Sequence, residues 1–270
     1  MVEITKKYKI GTRRFGLVNW YGTWTLYVKE VLRFLNVWAQ TLFSPLISSL
    51  LFLLVLSLAI GTERGEVLGV SFITFLAPGL IAMQIIQQAF SHSSSSLMIK
   101  KIDGTIVDLL FAPLSASEAT IAISLAAVTR SVLLAIISII TFTIIIDIQI
   151  QNYLTLISFT FLSSFILGNI GIIAGLWAEK FDNMATVTNF IIVPLSFYQV
   201  LFIQFDRLPG FLQTVSEFNP FFYMIDGFRY SFIGTADGSI KFGIIYLIIL
   251  SFVSWLVAYI LYKKGYKIKS

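Results

Sequence analysis

The sequence predicts an all-α bundle of helices in a membrane. Three observations lead there. Apolar residues make up 57% of the 270-residue chain and charged residues 12%, about half the charged share of a soluble domain. Six apolar runs are long enough to cross the ~30 Å hydrocarbon core. The basic residues gather in the terminal segments and one internal loop rather than spreading along the chain. The mean hydropathy of +0.87 agrees.

The net charge of +5 and its uneven placement read as positive-inside topology, not as a nucleic-acid surface. There is no Cys, so disulfides, thiolate metal sites and a Cys nucleophile are absent. A single His, His92, leaves no His cluster for zinc or haem.

Residues 1–19 are polar and basic, with no apolar stretch that could form a signal peptide, and read as a cytoplasmic tail. Residues 20–40 form an amphipathic helix. Trp20, Trp24, Tyr27, Val31, Phe34, Leu35 and Trp38 take one face, and Lys29, Arg33, Asn36 and Gln40 the other. Aromatic residues opposite cations suit a helix lying in the membrane interface; a soluble core helix is the other reading.

The spans are expected at 41–60, 70–89, 119–146, 153–177, 184–203 and 239–262, forming one six-span transmembrane unit over 41–262, with 263–270 as a closing basic tail. Pro45 falls in the first turn of span one, where its missing N–H costs little, and Pro194 lies inside span five. After span two, the run Ser91 to Ser96 is expected to continue the helix out of the membrane, its hydroxyls bonding to helix carbonyls. Six spans return both termini to one side. That side holds both tails, the loop 100–118 and Lys180, whereas the other holds Arg64, Arg207, Arg229 and Lys241. The basic side is the cytoplasmic one by this rule.

Three places stand out within this frame. The first is a charged island, Lys100, Lys101, Asp103, Gly104 and Thr105, running into Ile106, Asp108, Leu109, Leu110 and Phe111, and stopped by Pro113. Apolar residues in a short helix outside the bilayer need something to cover them. Either the bundle itself does so, or a soluble partner docks there. The second lies before the last span, where Asn219 caps a helix opened by Pro220 and ended by Gly234. Asp226 and Arg229, flanking Gly227 and Phe228, are spaced to pair at i, i+3. This helix and a shorter one over 211–218 are too short to span. They read as two half-helices dipping into the outer leaflet, which requires packing in protein, or as a pair lying flat on the surface. The third is Arg130, inside span three. A charge there is a functional candidate unless it snorkels to the interface. Gly171 and Gly175 of span four, with Gly168 before them, have the spacing that allows close helix contact.

No phosphate-binding loop, GxSxG or HExxH motif occurs. The acids sit mainly in loops and span ends, which argues against a carboxylate proton relay within the membrane.

The segments WAQTLFSPLI (38–47), KKIDGTIVDLLFAPLSASE (100–118), AEKFDNMATVTNFIIVPLSF (178–197) and NPFFYMIDGFRYSFIG (219–234) resemble the type-2 permease family of ATP-binding-cassette exporters. The likeness covers nearly the whole chain. It implies a multi-pass subunit of a bacterial inner membrane, paired with a second copy and with a separate ATPase that binds the ATP. The chain itself would carry no cofactor and no catalytic residue. The resemblance makes Lys100 to Pro113 the coupling helix seated in the ATPase. It makes the stretch from Asn219 to Arg229 a part of the outer gate. Substrates of the relatives are lipids, lipid-linked sugars or amphiphilic drugs. The short loop between spans one and two speaks against a large extracellular domain. The competing readings are a secondary carrier, which would show inverted halves and mid-membrane charges, and a membrane-embedded lipid-processing transferase, which would need converging catalytic side chains.

Overall fold

The structure is a computed structural model that describes residues 16, 18–60, 66–201 and 218–267. Most of the N-terminal tail, the loop 61–65, the end of span five with the half-helix at 211–217, and residues 268–270 lie outside the described residues.

The described chain is an all-α membrane bundle. Its elements are α1 (Trp20–Leu35), α2 (Ser44–Ile60), α3 (Phe72–Ile102), α4 (Ile106–Phe111), α5 (Ala116–Ile146), α6 (Tyr153–Trp177), α7 (Phe181–Val187), α8 (Val193–Leu201), α9 (Pro220–Ile233) and α10 (Ile240–Lys263). A two-stranded hairpin pairs Glu66 with Ser71 and Val67 with Val70 ahead of α3. Among the described residues, five helical segments are long and apolar enough to cross a membrane: Ala39–Ala59, α3, α5, α6 and α10. The run expected as span five is α7, a π-turn at Thr188–Ile192 and α8.

Local chemistry sets the helix ends. Ser71 Oγ accepts from Thr74 N–H at the start of α3, and Asn152 Oδ1 accepts from Leu154 and Thr155 N–H at the start of α6. Ser115 and Glu118 form a capping box on α5. Each of the two π-turns, Ala39–Phe43 and Thr188–Ile192, lies just ahead of a proline, Pro45 or Pro194. A proline ring collides with the carbonyl four residues back and donates no N–H. The wider turn inserts one extra residue there: Ser44 N–H reaches back to Ala39 O, and Val193 N–H to Thr188 O. Pro45 is the second residue of α2, and the π-turn ahead of it carries the helical path back to Ala39.

Three other expectations shift. The interfacial helix ends at Leu35, not at 40. Its faces also divide differently: Leu26, Glu30 and Phe34 are buried, whereas Trp20 and Trp24 are 76% and 63% exposed. Arg33 turns toward the bundle instead of away from it. The helix of the second span continues through the Ser run to Ile102, and the hydroxyls bond to helix carbonyls as expected, Ser94 Oγ to Phe90 O at 2.8 Å and Ser95 Oγ to His92 O at 3.1 Å, but Ser93, Ser94 and Ser96 are buried in the bundle. Small side chains explain this burial. A Cβ on Gly175 of α6 would come within 2.9 Å of Ser94 O, and one on Gly171 within 3.0 Å of Ser93 Cβ. Serine facing glycine lets α3 and α6 touch along their backbones.

α3 is the central helix, packed by α2, α5, α6, α8 and α9 around Phe75, Phe90, Phe142, Phe159 and Phe228. α2 and α10 are peripheral and expose most of their apolar residues. One end of the bundle gathers the C-termini of α3, α6 and α10 with the start of α5. Lys101 Nζ donates to Leu176 O at 2.9 Å, Lys267 pairs with Glu179 at 2.7 Å, and Asn19 N–H donates to Glu118 Oε1 at 2.7 Å. The opposite end holds the hairpin, the α5–α6 loop and α9, where Gln151 and Asn152 N–H donate to Ser231 O.

Candidate functional site

α4 sits at the basic end, between the last turn of α3 and the cap of α5. Its six residues divide by side. Ile106 and Leu109 pack inward with Leu26 of α1 and Ala119 of α5. Val107, Asp108, Leu110 and Phe111 point out, and Phe111 is 84% exposed. Asp103, Gly104 and Thr105 form the exposed turn before it, with Gly104 at φ +73, where a side chain would be strained. Pro113 follows, also exposed. A cavity of about 320 Å³ lies between α1 and α4, with Tyr21, Lys29, Asp108, Leu109 and Leu114 among its lining.

Besides Ile106 and Leu109, the two lysines of the island also turn away from this outer face. Lys100 is buried. Its Nζ donates to Glu30 of α1 and to Ser96 Oγ at 2.8 Å. Lys101 reaches the carbonyls that close α6, Leu176 O and Ala178 O. Both lysines face the bundle because free acceptors lie there: a buried carboxylate for one and unpaired helix-end carbonyls for the other.

Glu30 is the centre of a buried charge cluster that the sequence reading did not single out. Its Oε2 accepts from Arg33 Nε at 3.0 Å, and His92 Nε2 stands 3.8 Å away. Arg33 also donates to His92 O at 2.9 Å. Burial pushes the Glu30 carboxyl up, but Lys100 and Arg33 outweigh it and bring the group down to about 2. One signal was available: Glu30 lies midway between Leu26 and Phe34 on a single i, i+4, i+8 stripe. Its partner Lys100, seventy residues away, has no local signature.

At the opposite end, Asn219 Oδ1 accepts from Phe221 N–H at 3.0 Å, Pro220 opens the helix, and Gly234 closes it at φ +79. α9 has 14 residues and is buried on nearly all sides, so it is packed in protein rather than laid on a surface. Gly227 abuts the ring of Phe159, where a Cβ would overlap it. The expected Asp226–Arg229 ion pair does not form. Asp226 instead accepts from Asp237 N–H at 3.1 Å and Gly238 N–H at 2.9 Å. Arg229 lays its guanidinium 3.8 Å from the centre of the Phe75 ring. Fixed backbone donors in the following loop and an aromatic face on α3 compete successfully with the i, i+3 contact.

Arg130 does not snorkel. It is buried at the middle of α5 and donates to Gln88 Oε1 of α3. Among the described residues, no three His, Cys, Asp or Glu side chains group as metal ligands would.

The bundle thus has a central α3, a short exposed helix at one end and a short buried helix at the other. The family model of the ABC-2 type transporter matches residues 21–233, and the chain belongs to that family as the membrane permease component. Among curated proteins, it is 29% identical over 253 residues to the inner membrane transport permease YadH of Escherichia coli (strain K12), covering 93% of this chain and 98% of the relative. The YadH protein of Shigella flexneri matches with the same identity and coverage.

Proposed function

We propose that this chain is one half of a homodimeric translocation path in a bacterial inner membrane, driven by a separate ATPase subunit that binds beneath α4. Both termini face the cytoplasm in this reading, with the basic end on the ATPase side. The direction is export, and the cargo a lipid, a lipid-linked sugar or an amphiphilic drug. ATP binding closes the ATPase pair, and the segment 103–113 carries that motion into α3 and α5. α9, from Asn219 through Arg229, forms part of the outer gate.

The observation that carries this reading is the outer face of α4. Leaving Phe111, Leu110 and Val107 uncovered in water has no benefit unless something covers them in the assembly. The collection of lysines at the same end supports the orientation. The YadH relatives, inner membrane transport permeases by name, support the inner-membrane location.

The test is a pull-down of the chain, tagged after Ser270, from its native cells in mild detergent. An ABC ATPase recovered in equal amount is expected. Replacing Leu110 and Phe111 together with Ala is expected to lose that ATPase without lowering the melting temperature of the permease. Full recovery of the ATPase with the double variant overturns α4 as its seat. Recovery of the wild-type chain alone overturns the two-subunit reading.

A further inference from the structure

We infer that Glu30 is the positioning residue of the coupling segment: α1 clamps that segment at both ends, and α1, the last turn of α3 and α4 move as one body held by Glu30. The inference rests on the reading of α4 as the ATPase seat. α1 holds the chain before α4 through Glu30, whose carboxylate takes the Lys100 ammonium three residues ahead of the Asp103 cap. It holds the chain after α4 through Asn19, whose Nδ2 donates to Pro113 O at 3.1 Å and whose N–H donates to Glu118 Oε1. Between the two grips, Leu26 of α1 shares one buried apolar cluster with Ile106 and Leu109 of α4. A rotation of α4 relative to α1 would have to break one grip.

The two grips are not equal. The one at Pro113 is an ordinary hydrogen bond at a part-buried site. The one at Lys100 is an ion pair with a carboxylate that is 1% exposed. Among the described residues, Glu30 is the one acid paired in this cluster of Lys100, Arg33 and His92. Removing one partner of such a pair leaves a charge in the interior with nothing to balance it, which is worse than removing both. Lys100 would then swing toward water and unwind the turn that aims α4.

The chain has no cysteine, so spin labels at Trp24→Cys on α1 and Val107→Cys on α4, in a labelled chain diluted into an excess of unlabelled chain so that each dimer carries one labelled copy, report one distance without background. The full chain is measured in lipid nanodiscs. One narrow distance distribution is expected with native Glu30, and a broad or divided one in Glu30→Gln. Glu30→Gln combined with Lys100→Met is expected to narrow it again, because no unpaired buried ammonium remains. An unchanged distribution in Glu30→Gln overturns the inference, as does a double variant as broad as the single one. If Glu30→Gln does not accumulate, Lys100→Met alone is read by the same criterion. The second readout is the co-purified ATPase, which Glu30→Gln lowers about tenfold and the double variant restores. Neither side chain reaches the exposed face of α4, so that loss and rescue would not follow from a lost direct contact. Absence of any ATPase with the unmutated chain rejects the seat, while the label distances still decide the clamp.

Discussion

A carboxylate taken out of water costs several kcal/mol unless it is paired, and the pairing of Glu30 makes the attachment of α1 depend on pH in a defined window. Its folded value of about 2 lies below the ordinary 4.5. The contribution is therefore fully present above about pH 4.5 and fades as pH falls toward 2. Amide exchange in residues 20–35, corrected for intrinsic rate, is expected to stay level from pH 7 to 5 and to rise below about pH 4. A rise already above pH 5 would contradict the pairing. Asp226 makes a second residue-scale case. Its carboxylate satisfies Asp237 and Gly238 N–H. Asp226→Ala leaves both donors short of an acceptor and is expected to destabilise the chain by about 1–3 kcal/mol, read from denaturant or thermal unfolding in detergent. The i, i+3 spacing made an ion pair with Arg229 look natural from the sequence. Spacing reports proximity along one helix, whereas the acceptor's partners come from the next loop, which no helical period encodes.

At the scale of elements, the contact of α3 with α6 depends on what is missing from it. Gly175 lies so close to Ser94 that any Cβ meets a backbone oxygen, which cannot move aside. Gly175→Val is expected to cost several kcal/mol or to prevent accumulation of the protein, whereas Gly168→Ala, facing the Ala127 methyl at 3.2 Å, is expected to be milder. Comparing the unfolding temperatures of the two variants checks this, and equal losses would mean that α3 and α6 can separate freely. The same contact explains which parts of the fold were legible. The apolar runs are visible because the bilayer demands length and greasiness from each of them, and caps such as Asn219 and Ser115 are visible because orphan N–H groups demand them. The inward faces are harder. In lipid an apolar side chain gains little by turning inward, so the polar run Ser91 to Ser96 marks the buried side of α3 and the tryptophans of α1 mark its outside. A reading that equates polar with exposed inverts both. The outer face of α4 was legible because Leu110 and Phe111 are apolar in a charged loop. The burial of Lys100 was not, since it depends on a helix seventy residues away.

For the whole molecule, one question is which flank meets a second copy. α2 exposes Leu54, Val55 and Leu58, and α10 exposes Ile245, Ile249 and Phe252, each at roughly half or more of its surface. In water such ridges would mark an interface. In lipid, acyl chains cover them equally well, so exposure alone does not choose between the flanks. Symmetry does offer a choice. In a two-fold dimer a residue near the axis meets its own copy, and a residue on the far flank does not. The central helix α3 is mostly enclosed by its own chain, so a path shared by two copies has to open largely between peripheral helices. The nanodisc-embedded permease is expected to have twice the 30.3 kDa chain mass, after subtraction of lipid and scaffold. Because the chain lacks cysteine, single replacements Leu58→Cys on α2 and Ile249→Cys on α10 can each be oxidised alone. Disulfide-linked dimers are expected from one of these ridges and not from the other. Cross-linking from both at equal rate would indicate random collision in the bilayer, and a monomeric mass with no cross-link would reject the homodimeric path.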